Sequence, residues 1–408
     1  MTKLNELIQQ FCPDGVEYKT LGSFATISRG GNFQKKDFRD DGFPCIHYGQ
    51  IYTKYGLFVD KTVSFISPAC ASKQKTASKN DIIMAVTSEN IEDVCKCIVW
   101  LGDGEVAVSG HSAIIRHSQN PKYLAYYFHS RMFFDQKRKL AHGTKVIEVT
   151  PDKLASVKIP LPPIEVQREI VRILDNFTEL TAELTAELTA RKKQYEYYRD
   201  KLLAYNYDVE LFTISDIAET SIGLATSVSQ HKRENGVILL HNSDIQQNKI
   251  VLKTVEYISK EFAQKNKKKV LRKGDIITVH TGDVGTSAVI DDEYDGAIGF
   301  TTITTRIKDT ARVNPYFLCH YLNSHKCKQD IASMTISDRS NLNQKSFNTI
   351  QIPVPPLEIQ NRIVNVLDNF DAICSDLKIG LPAEIAARQK QYEFYRDKLL
   401  TFKEQKSK

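Results

Sequence analysis

The chain states part of its sequence twice, and this constrains its architecture more than any single residue does. Ile159-Pro160-Leu161-Pro162-Pro163-Ile164-Glu165-Val166-Gln167, running on to Ile173-Leu174-Asp175-Asn176-Phe177, returns at 352–370 with 12 of 19 positions identical. Ala190-Arg191-Lys192-Lys193-Gln194-Tyr195-Glu196-Tyr197-Tyr198-Arg199-Asp200-Lys201-Leu202-Leu203 returns at 387–400 with 12 of 14 identical. The stretches ahead of these segments differ in most residues but keep sparse landmarks at an offset of 193 or 194. Val16-Glu17 stands against Val209-Glu210, Lys79-Asn80-Asp81-Ile82-Ile83 against Lys273-Gly274-Asp275-Ile276-Ile277, and Asn120-Pro121 against Asn314-Pro315. The chain is a duplication with like connectors and unlike heads, suited to presenting two different surfaces from one frame. Its 408 residues leave room for two or three domains, each with its own core.

The connectors read as helices. Pro160-Leu161-Pro162-Pro163 and Pro353-Val354-Pro355-Pro356 are extended lead-ins, because proline lacks the amide donor and restrains the residue before it. Beyond them apolar residues fall at Val166, Ile170, Ile173, Phe177, Leu180, Leu184, Leu188, Tyr195, Tyr198 and Leu202, a helical stripe. Ile359, Ile363, Val366, Phe370, Ile373, Leu377, Ile385, Tyr392, Tyr395 and Leu399 repeat it, so the two helices are expected to pack as a coiled coil. Gly380-Leu381-Pro382 predicts a break in the second. This divides the chain into a head at 1–158, a helical region at 159–205, a head at 206–351 and a helical region at 352–408. Within the first helix Thr181-Ala182-Glu183-Leu184 repeats as Thr185-Ala186-Glu187-Leu188, and Phe177 to Arg191 spans 14 residues where Phe370 to Arg388 spans 18. A four-residue unit adds about 6 Å of helix and a net turn of about 40°, close to the ~34° between DNA base pairs at about 10.5 per turn.

Each head is α+β. Asp81 and Asp275 sit at turns that lead into β-branched runs, and Pro121 and Pro315 open amphipathic helices. The net charge of +6 suits a polyanionic partner without requiring one. The N-terminal residues lack the apolar core of a signal peptide and no run is long enough to span a membrane, so the expectation is a cytoplasmic protein with no membrane partner. Eight cysteines form no Cys-x-x-Cys pair and no spaced set with histidine, so reduced thiols and no metal are expected.

This layout resembles the specificity subunit of type I restriction-modification systems, and the likeness covers the whole chain. It is carried by the Pro-x-Pro-Pro and Glu-x-Gln helix openings, the Arg-x-Lys-Gln-Tyr-Glu tails at 191–203 and 388–400, and the Thr-Ala-Glu-Leu repeats. The resemblance implies two target-recognition domains, each reading half of a split double-stranded DNA target in the major groove, and two helical regions paired antiparallel as a spacer. Leu180, Leu184 and Leu188 are then spacer residues whose repeat number sets the unread gap. It also implies two adenine methyltransferase subunits and restriction/translocase subunits as partners, with S-adenosylmethionine, ATP and Mg held only by them. Arg199 and Arg396 are expected to be exposed and to help dock the methyltransferases.

The motif content agrees with a chain that has no catalytic residues. Asn314-Pro315-Tyr316 lacks the second proline of an adenine methyltransferase motif, Gly282-Asp283-Val284-Gly285 is too short for a dinucleotide turn, and no phosphate-binding loop of an ATPase occurs. For phosphate contacts the candidates are Lys73, Lys75 and Lys79 in the first head and Lys267, Lys268 and Lys269 in the second. For base contacts they are Arg29, Gln50, Thr53, Lys54, Ser88, Asn90 and Lys145, then Asn242, Asp244, Gln246, His280, Thr281, Arg339 and Asn341. Two other classes fit the residues: a fused or fragmentary methyltransferase-specificity protein, which would bind S-adenosylmethionine, and a coiled-coil scaffold whose heads bind protein.

Overall fold

The computed structural model describes residues 2–204, 209–334, 341–376 and 378–405. The chain forms two compact units, residues 1–184 with 385–408 and residues 185–384. Each therefore holds one head and half of each helical region, which cuts across a linear division into heads and connectors.

In the first unit, strand Ile82–Ala85 lies inside a five-stranded sheet, antiparallel to Ser112–His117 on one side and Cys97–Trp100 on the other, with Ala25–Arg29 beyond. Alternation along that strand builds two cores, as side chains of period two must. Ile83 and Ala85 face Ile46, Val106 and Val108 of a second, four-stranded sheet. Ile82 and Met84 face the helices Pro121–Phe128 and Arg131–Leu140, meeting Tyr123, Tyr126 and Phe133. The second unit repeats the plan: Ile276 faces helix Pro315–Leu322, while Ile277 and Val279 join the other core. Register repeats too, with Ile115 opposite Ile27 and Ile82, and Thr305 opposite Thr220 and Ile276. The two heads share one fold, as the offset landmarks predict.

The repeated motifs are the joints between head and helix. The helix Ile164–Leu203 runs 40 residues, and its counterpart is broken into Leu357–Ser375 and Leu381–Leu399 at the expected place. A Cβ on Gly380 would lie 2.6 Å from the Ala372 carbonyl oxygen, so only glycine lets the chain turn there. Gln167 of the Glu-x-Gln segment is fully buried, its Oε1 accepting from the Asn120 amide at 3.1 Å and its Nε2 donating to Pro162 O at 2.8 Å. Gln360 repeats both bonds with Asn314 and Pro355, at 2.8 and 2.7 Å. Asn120 and Asn314 in turn cap the proline-led helices.

The Arg-Asp pair of each tail is a second joint. Asp397 accepts from the Arg131 amide at 3.1 Å and Asp200 from the His325 amide at 3.1 Å, each at the first residue of a head helix. In the second unit the helices run antiparallel: Lys192 lies by Cys374, Tyr195 by Asp371, and Tyr198 stacks on Phe370 at 5.8 Å. The first unit has the same stack between Phe177 and Tyr395, at 5.5 Å. There residues 16–18 also meet residues 402–405, through Val16 N donating to Lys403 O and Tyr18 Oη to Phe402 O.

The expected helix stripe needs correcting. Ile359, Val366 and Ile373 are exposed, and the face turned toward the head is Gln360, Ile363, Val364 and Leu367. In the first unit Val166, the match of Ile359, is buried in the core that also holds Leu4 of helix Thr2–Phe11, whose Lys3 pairs with Glu169 at 3.5 Å. Val166, Ile170, Tyr195, Ile363 and Leu399 of the stripe join the head cores, while Phe177 with Tyr395 and Tyr198 with Phe370 stack helix on helix. Of the repeat leucines, Leu180 is exposed and Leu184 and Leu188 are half-buried.

Candidate nucleic-acid interface

Ion pairs in the two heads divide into those the duplication keeps and those it replaces. Asp81 accepts from Arg116 at 3.0 Å in the first head, and Asp275 accepts from Arg306 at 2.6 Å at the matching place in the second. Kept pairs of this kind, like the Gln167 and Gln360 joints, serve the shared fold. They lie at one end of the central sheet. At the other end, where Arg29, Ala113 and Met84 stand side by side, residues of matching position differ in kind.

In the first head that end opens as a cleft of about 570 Å³ lined by Arg29, Asn32, Gln34, His47, Tyr48 and His111. A second hollow of about 350 Å³ shares Tyr48 and His111 and adds Ser88, Asn90 and Val146. Between them the Tyr48 and His111 rings lie 4.9 Å apart, and His111 Nδ1 is 3.1 Å from Thr87 Oγ1. Tyr52 Oη donates to Thr87 O at 2.7 Å, fixing the floor. Arg29, at the end of strand Ala25–Arg29, pairs with Glu148 of the short strand Ile147–Glu148, which lies against Thr87 and Ser88. Burial, with Lys35 and His111 nearby, holds the His47 imidazole below its ordinary value. It is therefore neutral at pH 7, able both to accept and to donate.

The second head places Asn242, His280, Thr281 and Asn341 at the matching end. His280 N donates to Asn242 Oδ1 at 3.1 Å, and Thr281 Oγ1 to Asn341 Oδ1 at 2.9 Å. Asn242 Nδ2 reaches Thr301 Oγ1 at 3.2 Å, and burial lowers the His280 pKa as it does that of His47. Thr281 bridges Asn341 as Thr87 pairs with Glu148. In the same alignment Arg29 becomes Ile222 and Tyr48 becomes Asn242. Both surfaces carry imidazole, amide and hydroxyl groups that suit base edges, and the first adds a guanidinium.

The structure thus gathers Arg29, Ser88 and Asn90 at two adjoining hollows of the first head, with Lys145 exposed beside Val146, and Asn242, His280, Thr281 and Asn341 at the matching end of the second head's sheet. Thr53 and Lys54 are exposed at the end of helix Tyr48–Thr53, which starts at the cleft. Arg339 lies outside the described residues. Other expectations need correction. Gln50 is buried, accepting from His47 N at 2.9 Å and donating to Ser64 at 2.6 Å, so it caps a turn. Asp244 is buried and does the same for His241 N at 2.8 Å. Gln246 lines a hollow with Lys192, Tyr195 and Asp371 on the helix side of its head.

Lys79 is paired with Asp103 at the far end of the sheet, and Lys269 donates to Gly223 O at 2.7 Å. Lys73, Lys75, Lys267 and Lys268 are exposed and suit phosphate contact. Arg199 is buried and Arg396 half-buried, each lying over the tyrosine four residues earlier and paired with the following aspartate. They order the Asp200 and Asp397 joints and are not exposed docking residues. Missed in the sequence were Asn32, Gln34, His47, Tyr48, His111, Glu148 and Thr301. Aligning His47-Tyr48 with His241-Asn242 at the common offset would have found the turn that carries two of them.

Among the described residues no group of three or more histidine, cysteine or acidic side chains could hold a metal, and no helix is long and apolar enough to cross a membrane. Comparison with known proteins gives a consistent picture. The family model described as type I restriction modification DNA specificity domain matches residues 13–191 and again 206–387. A Haemophilus influenzae chain named as a type I restriction enzyme specificity subunit is 32% identical over 318 residues, 73% of this chain and 77% of that one. The EcoR124I/EcoR124II type I restriction enzyme specificity subunit of Escherichia coli is 35% identical over 263 residues, 60% of this chain and 63% of that one. A chain from a structure of a type I restriction-modification assembly superposes with a TM-score of 0.67 at 20% identity, covering 95% of this chain and 98% of that one. The S subunit of M. genitalium gives 0.53 at 16%, covering 95% and 96%.

Proposed function

The chain belongs to the type I restriction-modification DNA specificity family, of which it carries two domains, and from that membership we propose how it works. It is the DNA-reading subunit of a type I restriction-modification complex, and each head reads one half of a bipartite target through the cleft at the open end of its sheet. One observation carries this. Within the duplication the Gln167 and Gln360 joints and the Asp200 and Asp397 joints between head and helix are kept, while key residues at the open end of the sheet are exchanged, Arg29 for Ile222, Tyr48 for Asn242 and Glu148 for Asn341. A shared fold with exchanged cleft groups is what reading two different half-sites requires.

The chain is non-catalytic in this reading and works in the cytoplasm. S-adenosylmethionine, ATP and Mg are bound by its partners, two adenine methyltransferase subunits and the restriction/translocase subunits. The Thr-Ala-Glu-Leu repeats act as a spacer, a role that accords with the division between units falling at Leu184 and Thr185, inside them. The methyltransferases dock on the helical tails through Tyr197 and Phe394 in place of the buried arginines. These two residues match in the duplication and are 61% and 62% exposed, so they offer equivalent apolar footholds to two identical subunits.

The test is adenine methylation by the purified chain with and without its methyltransferase. Activity should appear only in the mixture, and the Tyr197→Ser, Phe394→Ser double variant should lower the 2:1 mass seen by light scattering. Methylation by the chain alone overturns the non-catalytic assignment. An intact 2:1 complex in the double variant overturns the docking assignment.

A further inference from the structure

Arg29 and Glu148 form an ion pair at the mouth of the first cleft, with side chains 44% and 28% exposed. A pair so open to water contributes little to stability, and the strand that carries Glu148 is already held by its backbone pairing to Thr87 and Ser88. The second head has Ile222 and Asn341 at these places and keeps the same strand arrangement without the charges. The pair is therefore not part of the shared fold, unlike the Asp81–Arg116 and Asp275–Arg306 pairs, which both heads retain. Nor does it suit a phosphate. A carboxylate beside the guanidinium cancels its charge and repels an anion, whereas exposed lysines are available for that purpose.

What fits a neighbouring donor fork and acceptor is the edge of a base pair. In the major groove guanine offers two acceptors, O6 and N7, and its partner cytosine offers the N4 amino donor. Arg29 can give two hydrogen bonds to guanine while Glu148 takes one from cytosine, three in all. In the same placement an A·T pair keeps only one, N7 to arginine, since the N6 amino group then faces the second arginine N–H and thymine O4 faces the carboxylate. Resting on the reading that the first head binds DNA through this cleft, we infer that Arg29 and Glu148 together recognise one G·C base pair of the first half-site. Until DNA arrives each satisfies the other, so neither charge lacks a partner in the free protein.

The experiment uses the full chain with its methyltransferase and duplexes carrying the methylated target found in cells. The half-site of the first head is identified as the half that changes when residues 12–158 are exchanged. Each base pair of that half is then replaced in turn and binding measured by competition. The wild-type complex should show a G·C pair whose replacement weakens binding about ten- to a hundredfold. Arg29→Gln and Glu148→Gln should each reduce discrimination at that one position to within about threefold, leaving the other positions and the second half-site as they were. Absence of a G·C pair from the half-site, unchanged discrimination in both variants, or an equal loss on every duplex overturns the inference. A complex that binds all duplexes alike with both residues intact refutes the DNA-reading function itself.

Discussion

Deleting Thr185-Ala186-Glu187-Leu188 probes the spacer role with little damage to the fold. Three of the four residues are exposed and Leu188 is half-buried, so little core is lost. Threonine, alanine, glutamate and leucine each fall where the same residue stood before. Glu183 then stands four positions before Arg191 and replaces the Glu187 pairing, seen here at 3.5 Å. Stability should change by less than about 1 kcal/mol. The helix between the units shortens by about 6 Å and loses a net winding of about 40°. One base-pair step is a rise of about 3.4 Å and a turn of about 34°, so the angle matches one step and the length exceeds it by about 2.6 Å. Bending of the helix or of the DNA has to absorb that excess. Methylome sequencing of cells carrying the variant and its methyltransferase should show the same two half-sites with the gap one base pair shorter. An unchanged gap with methylation intact, or altered half-site bases, would show that the repeat is ordinary helix and not a spacer.

Further predictions concern the joints and the heads. Gln167→Ala leaves the Asn120 amide and the Pro162 carbonyl without their buried partner, which should cost about 2–4 kcal/mol. Fluorescence of Trp100, the only tryptophan and one that lies in the first head, should report this as a lower urea midpoint, and a loss below about 0.5 kcal/mol would contradict the joint. Burial, helped by the charges of Arg396, Lys137 and Lys96, depresses the His129 imidazole to about 4. The neutral form is the one the folded state prefers, so its contribution is complete above about pH 6.5 and is lost as pH falls toward 4. His129→Gln should flatten the acid limb of the Trp100 unfolding curve by about 1–3 kcal/mol; an unchanged limb would show the imidazole is not the group responsible. Asp397→Ala frees the Arg131 amide at the start of its helix and should speed amide exchange through 131–135, while Asp200→Ala should do so at the helix beginning His325 and leave the first head unaffected.

The frame was legible in the sequence because repetition exposes it. Identical motifs imply identical contacts, and Gln167 with Gln360, or Asp200 with Asp397, make them. The Asp-Ile-Ile strands, the Asn-Pro helix starts and the break at Gly380 followed from local rules that tertiary contacts did not override. The stripe was misjudged because helical periodicity gives the existence of an apolar face and not its partner: the buried residues turn toward a head, and helix Thr2–Phe11 covers Val166 in one unit only. The cleft was mostly illegible because its residues meet from distant places, Arg29, Tyr48, His111 and Glu148 among them, and no spacing announces it. Polar type alone also ranked Gln50 and Asp244 as readers, although their side chains cap turns inside the fold. The near-identity of the tails points to docking by Arg199 and Arg396 but does not show their burial, which comes from their place over Tyr195 and Tyr392.

If two independent readers share one frame, exchanging residues 12–158 for the corresponding head of a relative changes what only one of them reads. The methylated motif is read by sequencing cells that carry the chimera with its methyltransferase. One half-site should take a new sequence, with the other half and the gap unchanged, because the kept joints at Gln167 and Asp397 bind either head alike. Change in both half-sites, or in the gap, would contradict it.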